Sequence, residues 1–185
     1  MPVNIALLRG INVGGANKIE MARLRELFCE LGCTNVSTYI NSGNVIFSSA
    51  ETDIQSIRAA CEAAVAERFG VKSPIMVMPA EELIASVTSA PDWWGSDITA
   101  KHNAIFVLPP AAAEEIIAEI GATKPEYERI ASAGRVIFWS APIETYSRTR
   151  LSKIVGTKAY ASVTIRNENT ARKLAELATK ELEPK

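Results

Sequence analysis

The period of apolar and polar positions changes several times along the chain, and each change marks an element. Residues 4–8 (Asn4, Ile5, Ala6, Leu7, Leu8) form a short apolar run that stops at Arg9-Gly10, as a buried strand does. Met21, Leu24, Leu27, Phe28 and Leu31 then recur at helical spacing, and Gly32 stands where a helix end favours positive φ. Val36 to Ile40 predicts a second strand, Asn41-Ser42-Gly43-Asn44 a turn, and Val45-Ile46-Phe47 a third strand. Thr52 and Gln55 have capping-box spacing ahead of Ile54, Ile57, Cys61, Ala64 and Val65, a helical face closed by Gly70. Ile75-Met76-Val77-Met78 supplies a fourth strand. The order is βαββαβ, the ferredoxin-like unit.

The second half predicts the same order. Ala104 to Leu108 reads as a strand, and Ile116, Ile117 and Ile120 as a helix closed by Gly121. Tyr127 to Ala131 is a weaker strand, and Gly134 turns into Val136 to Trp139. Leu151, Ile154 and Val155 predict a further helix before Gly156, and Ala161 to Ile165 a closing strand. GNVIFSS at 43–49 and GRVIFWS at 134–140 agree at five of seven positions and fall on the same element of each half, as a duplication would leave them. The expected class is therefore α+β: two tandem ferredoxin-like repeats, 1–79 and 101–166. A linker at 80–100 carries a short helix and a Trp93-Trp94 loop, and a C-terminal helix occupies 167–185. Several strands are apolar at successive positions, as strands buried on both faces are. That weighs against an RNA-recognition sheet, which needs aromatics on an open face.

Composition adds few constraints. The 185 residues are 48% apolar and 22% charged, which excludes disorder, and no apolar run reaches the ~20 residues of a spanning helix. The opening MPVNIALLRG has no basic region ahead of an apolar stretch, so no secretory signal is expected. Three cysteines without a CxxC pair fit a reducing compartment, and the expected location is the cytoplasm. The net charge of −1 excludes a protein that coats nucleic acid by bulk charge. It also hides a split: residues 51–128 carry −8 and residues 129–173 carry +7. Such an asymmetry can focus a local field, or the two blocks can neutralise each other within the fold.

Topology places the polar residues. In a βαββαβ unit the exit of the first strand and the hairpin between the second and third lie at one end of the sheet. That brings Arg9-Gly10-Ile11-Asn12-Val13-Gly14-Gly15 and Lys18 near Asn41, Ser42 and Asn44, with glycines that let the backbone approach a ligand. The loop also feeds a helix, whose N-terminus favours an anion. It is neither a GxGxxG fingerprint nor a P-loop. In the second half Arg148, Arg150, Lys153 and Arg166 are expected to gather at one end, with Thr149 and Asn167 as N-caps. Catalytic signatures and zinc spacing are lacking. His102 reads as a surface or strand-edge residue. Tyr146 and Ser147 are the nucleophile or acid candidates, with no base in view.

The segment ALLRGINVGGANKIEMARLRELFCELGCTNVSTYINSGNVIF resembles the opening of a mainly bacterial family known as domain of unknown function 1697. Thr164, Arg166, Asn167, Asn169 and Thr170 resemble that family's TxRNWNT segment, with Glu168 in place of the tryptophan. The resemblance implies two ferredoxin-like repeats and no established activity. The leading expectation is a phosphorylated or anionic small molecule bound in a cleft between the repeats. Its ligands would be Arg9, Asn12, Lys18, Asn41, Ser42, Asn44, Arg148, Arg150, Lys153, Arg166 and Asn167. Structured nucleic acid held by the basic 129–173 region comes second, and an enzyme acting on a phosphorylated metabolite third. No cofactor, metal or membrane partner is expected.

Overall fold

The computed structural model describes residues 1–183. The chain divides into two compact units, Met1–Ile84 together with residues 174–183, and Ala85–Lys173. The first unit holds β1 (Val3–Leu8), α1 (Met21–Glu30), β2 (Thr34–Tyr39), β3 (Asn44–Ser48), α2 (Ile54–Phe69) and β4 (Ile75–Pro79). α3 (Ala80–Thr88) follows. The second unit holds β5 (Ala100–Val107), α4 (Ala113–Ile120), β6 (Arg129–Ala133), β7 (Val136–Pro142) and β8 (Val163–Asn167). α5 (Glu168–Leu182) starts there.

The architecture is α+β, with two four-stranded antiparallel sheets. Their strand orders correspond element for element: β2-β3-β1-β4 and β6-β7-β5-β8. The apolar runs supply the central strands, β1, β3, β5 and β7, and also β4, which is buried although it ends its sheet. On one face of the first sheet, Ala6, Leu8, Val45, Phe47, Ile75 and Val77 pack with Leu24 and Phe28 of α1 and Ile57, Cys61 and Val65 of α2. The alternate residues Ile5, Leu7, Ile46 and Met76 are equally buried, so both faces are covered, as their unbroken hydrophobicity predicts. In the second unit Ile105, Val107, Ile137, Trp139 and Val163 pack with Ile116 of α4. Trp94 covers Phe138 on the other face, edge to face at 4.9 Å, with its Nε1–H donated to the Asn103 carbonyl at 2.9 Å.

Four expectations need correction. α2 is capped by Asp53 rather than Thr52: its carboxylate accepts from the Gln55 and Ser56 amides, both at 3.2 Å. β2 ends at Tyr39, because Ile40 adopts a left-handed φ of 48° to enter the hairpin. β6 starts at Arg129, because Tyr127 and Glu128 turn back on the Lys124 carbonyl. The predicted helix around Leu151 is a chain of three 3-10 turns over Ile143–Arg148, Leu151–Gly156 and Lys158–Ser162. Here hydroxyls compete for the backbone: Thr149, Ser152 and Thr157 donate to the carbonyls of Tyr146, Thr149 and Ile154, each three residues back. The three-residue spacing of Leu151 and Ile154 buries both side chains on a 3-10 turn just as it would on a helix.

Candidate functional site

In the first unit the β1–α1 loop and the β2–β3 hairpin meet. The Arg9 amide donates to the Ser73 hydroxyl at 3.0 Å and the Pro74 carbonyl at 3.1 Å, which fixes where the chain leaves β1. The loop then closes on itself. The Asn12 amide donates to the Asn17 carbonyl at 3.1 Å, and the Asn17 side chain to the Gly10 carbonyl at 3.0 Å. Asn12 and Asn17 hold φ values of 55° and 49°, a region that asparagine tolerates better than most residues. The Asn12 carboxamide is the hub. Its Nδ2 donates to the carbonyls of Ile19 (2.9 Å) and Asn41 (2.8 Å), and its Oδ1 accepts from the Ile19 amide (2.8 Å). Asn44, fully buried, donates to the Tyr39 carbonyl at 3.0 Å and the Ser42 hydroxyl at 2.9 Å. Asn12 and Asn44 therefore build the site's frame.

That frame borders a depression of about 740 Å³, lined by Asn12, Gly15, Lys18, Glu20, Arg23, Asn41 and Phe69 together with the first turn of α1. Lys18 and Asn41 are exposed. Arg23 lies over the Phe69 ring at 5.5 Å. Glu20, the N-cap residue of α1, makes no side-chain cap bond. The first N–H groups of a helix have no partner within the helix, so the first turn presents donors and a partial positive charge to this depression.

In the second unit the sequence candidates separate. Arg148, Arg150 and Lys153 are exposed on the 3-10 turns, with Arg148 5.7 Å from the Tyr127 ring centre. Arg166 is buried within β8 instead of joining them at the surface. Its guanidinium donates to Thr164 Oγ1 at 3.0 Å and the Ile165 carbonyl at 2.9 Å. Burial pulls its pKa down to about 10, which still leaves it charged at neutral pH. Asn167 caps α5, accepting from the Thr170 amide at 2.8 Å. Glu128 links the acidic and basic stretches of sequence: it is 4% exposed and accepts from the amides of Lys124, Arg150 and Leu151. Glu168, in the position of the resembled tryptophan, pairs with Arg172, and Arg172 lies 4.9 Å over the Trp94 ring.

A second cavity, about 220 Å³, lies at the end of β7, among residues the sequence pattern does not bring together. Its walls include Trp93, Asp97, His102, Tyr127, Arg129 and Ser140. His102 and Ser140 are directly paired across β5 and β7, with Nδ1 and Oγ 2.5 Å apart. Their separation of 38 residues hides this contact until the strand register is known. The serine at matching positions of the repeated motif, Ser49 and Ser140, was the one available signal.

The profile of the family described as "Protein of unknown function (DUF1697)" matches residues 1–138. The TxRNxNT-like segment lies beyond that match. None of the curated proteins matches the chain. Among solved structures, the conserved bacterial protein SP0830 from Streptococcus pneumoniae is similar, with 30% sequence identity and a TM-score of 0.84. The likeness covers 96% of this chain and 98% of that one. Among the described residues, no helix is long and apolar enough to cross a membrane.

Proposed function

The chain belongs to the DUF1697 family of proteins of unknown function, and on that footing we propose that its first unit binds a phosphorylated or otherwise anionic small molecule at the α1 end of the β1–α1 loop. The shared strand order is read as two ferredoxin-like repeats derived by duplication, with the ligand site specialised in the first. One observation carries the reading: a depression of about 740 Å³ combines an N-terminal helix turn lacking a side-chain cap with Lys18 and Arg23 on its walls. The volume falls within the range of small-molecule sites. Helix amides and flanking cations answer the oxygens of a phosphate or carboxylate. Asn12 holds the loop and the hairpin at the spacing the ligand meets, while Asn41 and Lys18 reach it. Glu20, also on the wall, favours a ligand that carries hydroxyl donors beside its anionic group, such as a sugar phosphate.

The test is a thermal-shift series with inorganic phosphate, sugar phosphates and nucleotides. A ligand at 100 times its Kd stabilises by about 2.7 kcal/mol. Lys18→Ala and Arg23→Ala are expected to remove the shift; Lys18→Ala leaves the unliganded melting temperature nearly unchanged, and Arg23→Ala, which gives up its contact with the Phe69 ring, is compared with its own unliganded melting temperature. No shift with any anion, or a shift that survives both substitutions, overturns the reading.

The exposed Arg148, Arg150 and Lys153 favour a second reading, nucleic acid on the second unit. Its mark is salt-dependent binding with a log–log slope near −0.9 per phosphate contact on duplex DNA. Arg148→Ala would lower that slope by about one.

A further inference from the structure

Arg129, Ser140 and His102 form a row across three neighbouring strands of the second sheet. Arg129 pairs with Ser140 across β6 and β7, and Ser140 pairs with His102 across β7 and β5. Directly paired residues share a face of a sheet, so the three side chains lie on one face and line the cavity of about 220 Å³, with Ser140 buried at its floor.

The hydrogen bonds assign the proton positions. His102 Nε2 lies 2.8 Å from the Asp97 carbonyl oxygen. A carbonyl only accepts, so Nε2 carries the hydrogen, and in the neutral ring Nδ1 carries the lone pair. Ser140 Oγ, 2.5 Å from Nδ1, therefore donates its proton to the imidazole. The Asp97 carbonyl is itself held in place. The Asp97 carboxylate accepts from the Thr99 amide at 2.8 Å and the Thr99 hydroxyl at 2.6 Å, locking the turn from which the carbonyl projects. The result is a serine hydroxyl on a base, with the base oriented by a third group.

We propose that Ser140 and His102 form a nucleophile–base pair for acyl transfer from a small carboxylic ester. Ser140 Oγ attacks the ester carbonyl carbon, and its proton passes to His102 Nδ1. The bond from the acyl carbon to the alcohol oxygen breaks, and Nδ1 returns the proton to the departing alcohol. Water then attacks the acyl-serine with His102 again as base, releasing a carboxylic acid and restoring Ser140. Arg129, paired with Ser140 across β6 and β7, lines the same cavity, and its positive charge would stabilise the negative charge that develops on the carbonyl oxygen. The cavity's size limits the acyl group to a short one. This site is in the second unit and does not depend on the anion site of the first.

The experiment treats the native full-length protein with phenylmethylsulfonyl fluoride and a small alkyl fluorophosphonate, and locates adducts by peptide mass spectrometry. The expected result is one stoichiometric adduct, on Ser140, formed with loss of fluoride. It should be absent after unfolding in urea. General-base assistance contributes about 10²–10⁴-fold, so His102→Gln should slow labelling at least about 100-fold. Hydrolysis of p-nitrophenyl acetate should fall together with labelling in Ser140→Ala. Should either variant fail to fold, the site and stoichiometry of labelling and the urea control on the unmodified protein decide alone. An unlabelled Ser140 in the native protein, or labelling that persists unchanged in urea, overturns the proposal. So does equal labelling in folded His102→Gln.

Discussion

At the residue scale, Gly43 shows how closely the first unit's hairpin meets its core. Its φ is +71°, and a Cβ there would stand 2.7 Å from Ile11 Cδ1 and 2.8 Å from Leu8 Cβ. Leu8 and Ile11 are buried and have no room to withdraw. Gly43→Ala combines backbone strain with overpacking and is expected to cost about 2–4 kcal/mol in denaturant unfolding. Asp53 gives a pH prediction. The Ser56 hydroxyl first, and then the Gln55 and Ser56 amides, hold its carboxyl below the usual 3.8. A carboxyl lowered in the folded state adds stability above its unfolded pKa, and that stability is lost as pH falls through the folded value. Asp53→Asn is therefore expected to melt below the unmodified protein at neutral pH, with the gap closing as pH drops below 3.8. Among residues, Asn12 and Asn41 were readable as neighbours, because strand order alone brings their loops together. Arg166 was not, because formal charge carries no information about burial.

At the element scale, the 93–95 loop is clamped to the start of α5. Arg172 covers the Trp94 ring, donates to the Trp94 carbonyl at 2.8 Å and pairs with Glu168. Gly95, with φ +91°, leaves room for that carboxylate: a Cβ there would stand 2.6 Å from Glu168 Oε1. Arg172→Ala removes the cation–π contact and a charge-assisted hydrogen bond. It is expected to lower the stability of the second unit by about 1–3 kcal/mol and to shift Trp94 emission, measured against chemical denaturation. The hydrophobic period predicted most helices and central strands, because a residue's burial in them repeats with the backbone. It failed around Leu151, where 3-10 turns run over 143–162. There, short-range bonds from Thr149, Ser152 and Thr157 decide the geometry, while the apolar spacing suits either kind of helix.

For the whole molecule, strand position within each sheet sets an order of local stability. β3 and β1 in one sheet, and β7 and β5 in the other, have strands on both sides and buried faces. Their amides are expected to exchange slowest with solvent, and those of the three 3-10 turns among the fastest, by hydrogen-exchange mass spectrometry. Slow exchange throughout 143–162 would contradict this ranking. The net charge of −1 is a poor guide at this scale. Its components matter more: Arg166 is withdrawn into a sheet, Glu128 is occupied by backbone amides, and Lys18 and Arg23 remain beside a depression. The cross-strand contact of His102 with Ser140 belongs to this scale too, since only the assembled register creates it.

The irregularity of β2 has one further consequence. This strand lies at the edge of its sheet and carries an extra residue between Thr34 and Ser37, with Asn35 at a φ of 50°. A flat edge strand offers its open row of amides and carbonyls as a template on which another chain can add a strand. The bulge breaks that row, so the same feature that bends β2 guards the folded protein against fibrillar self-association.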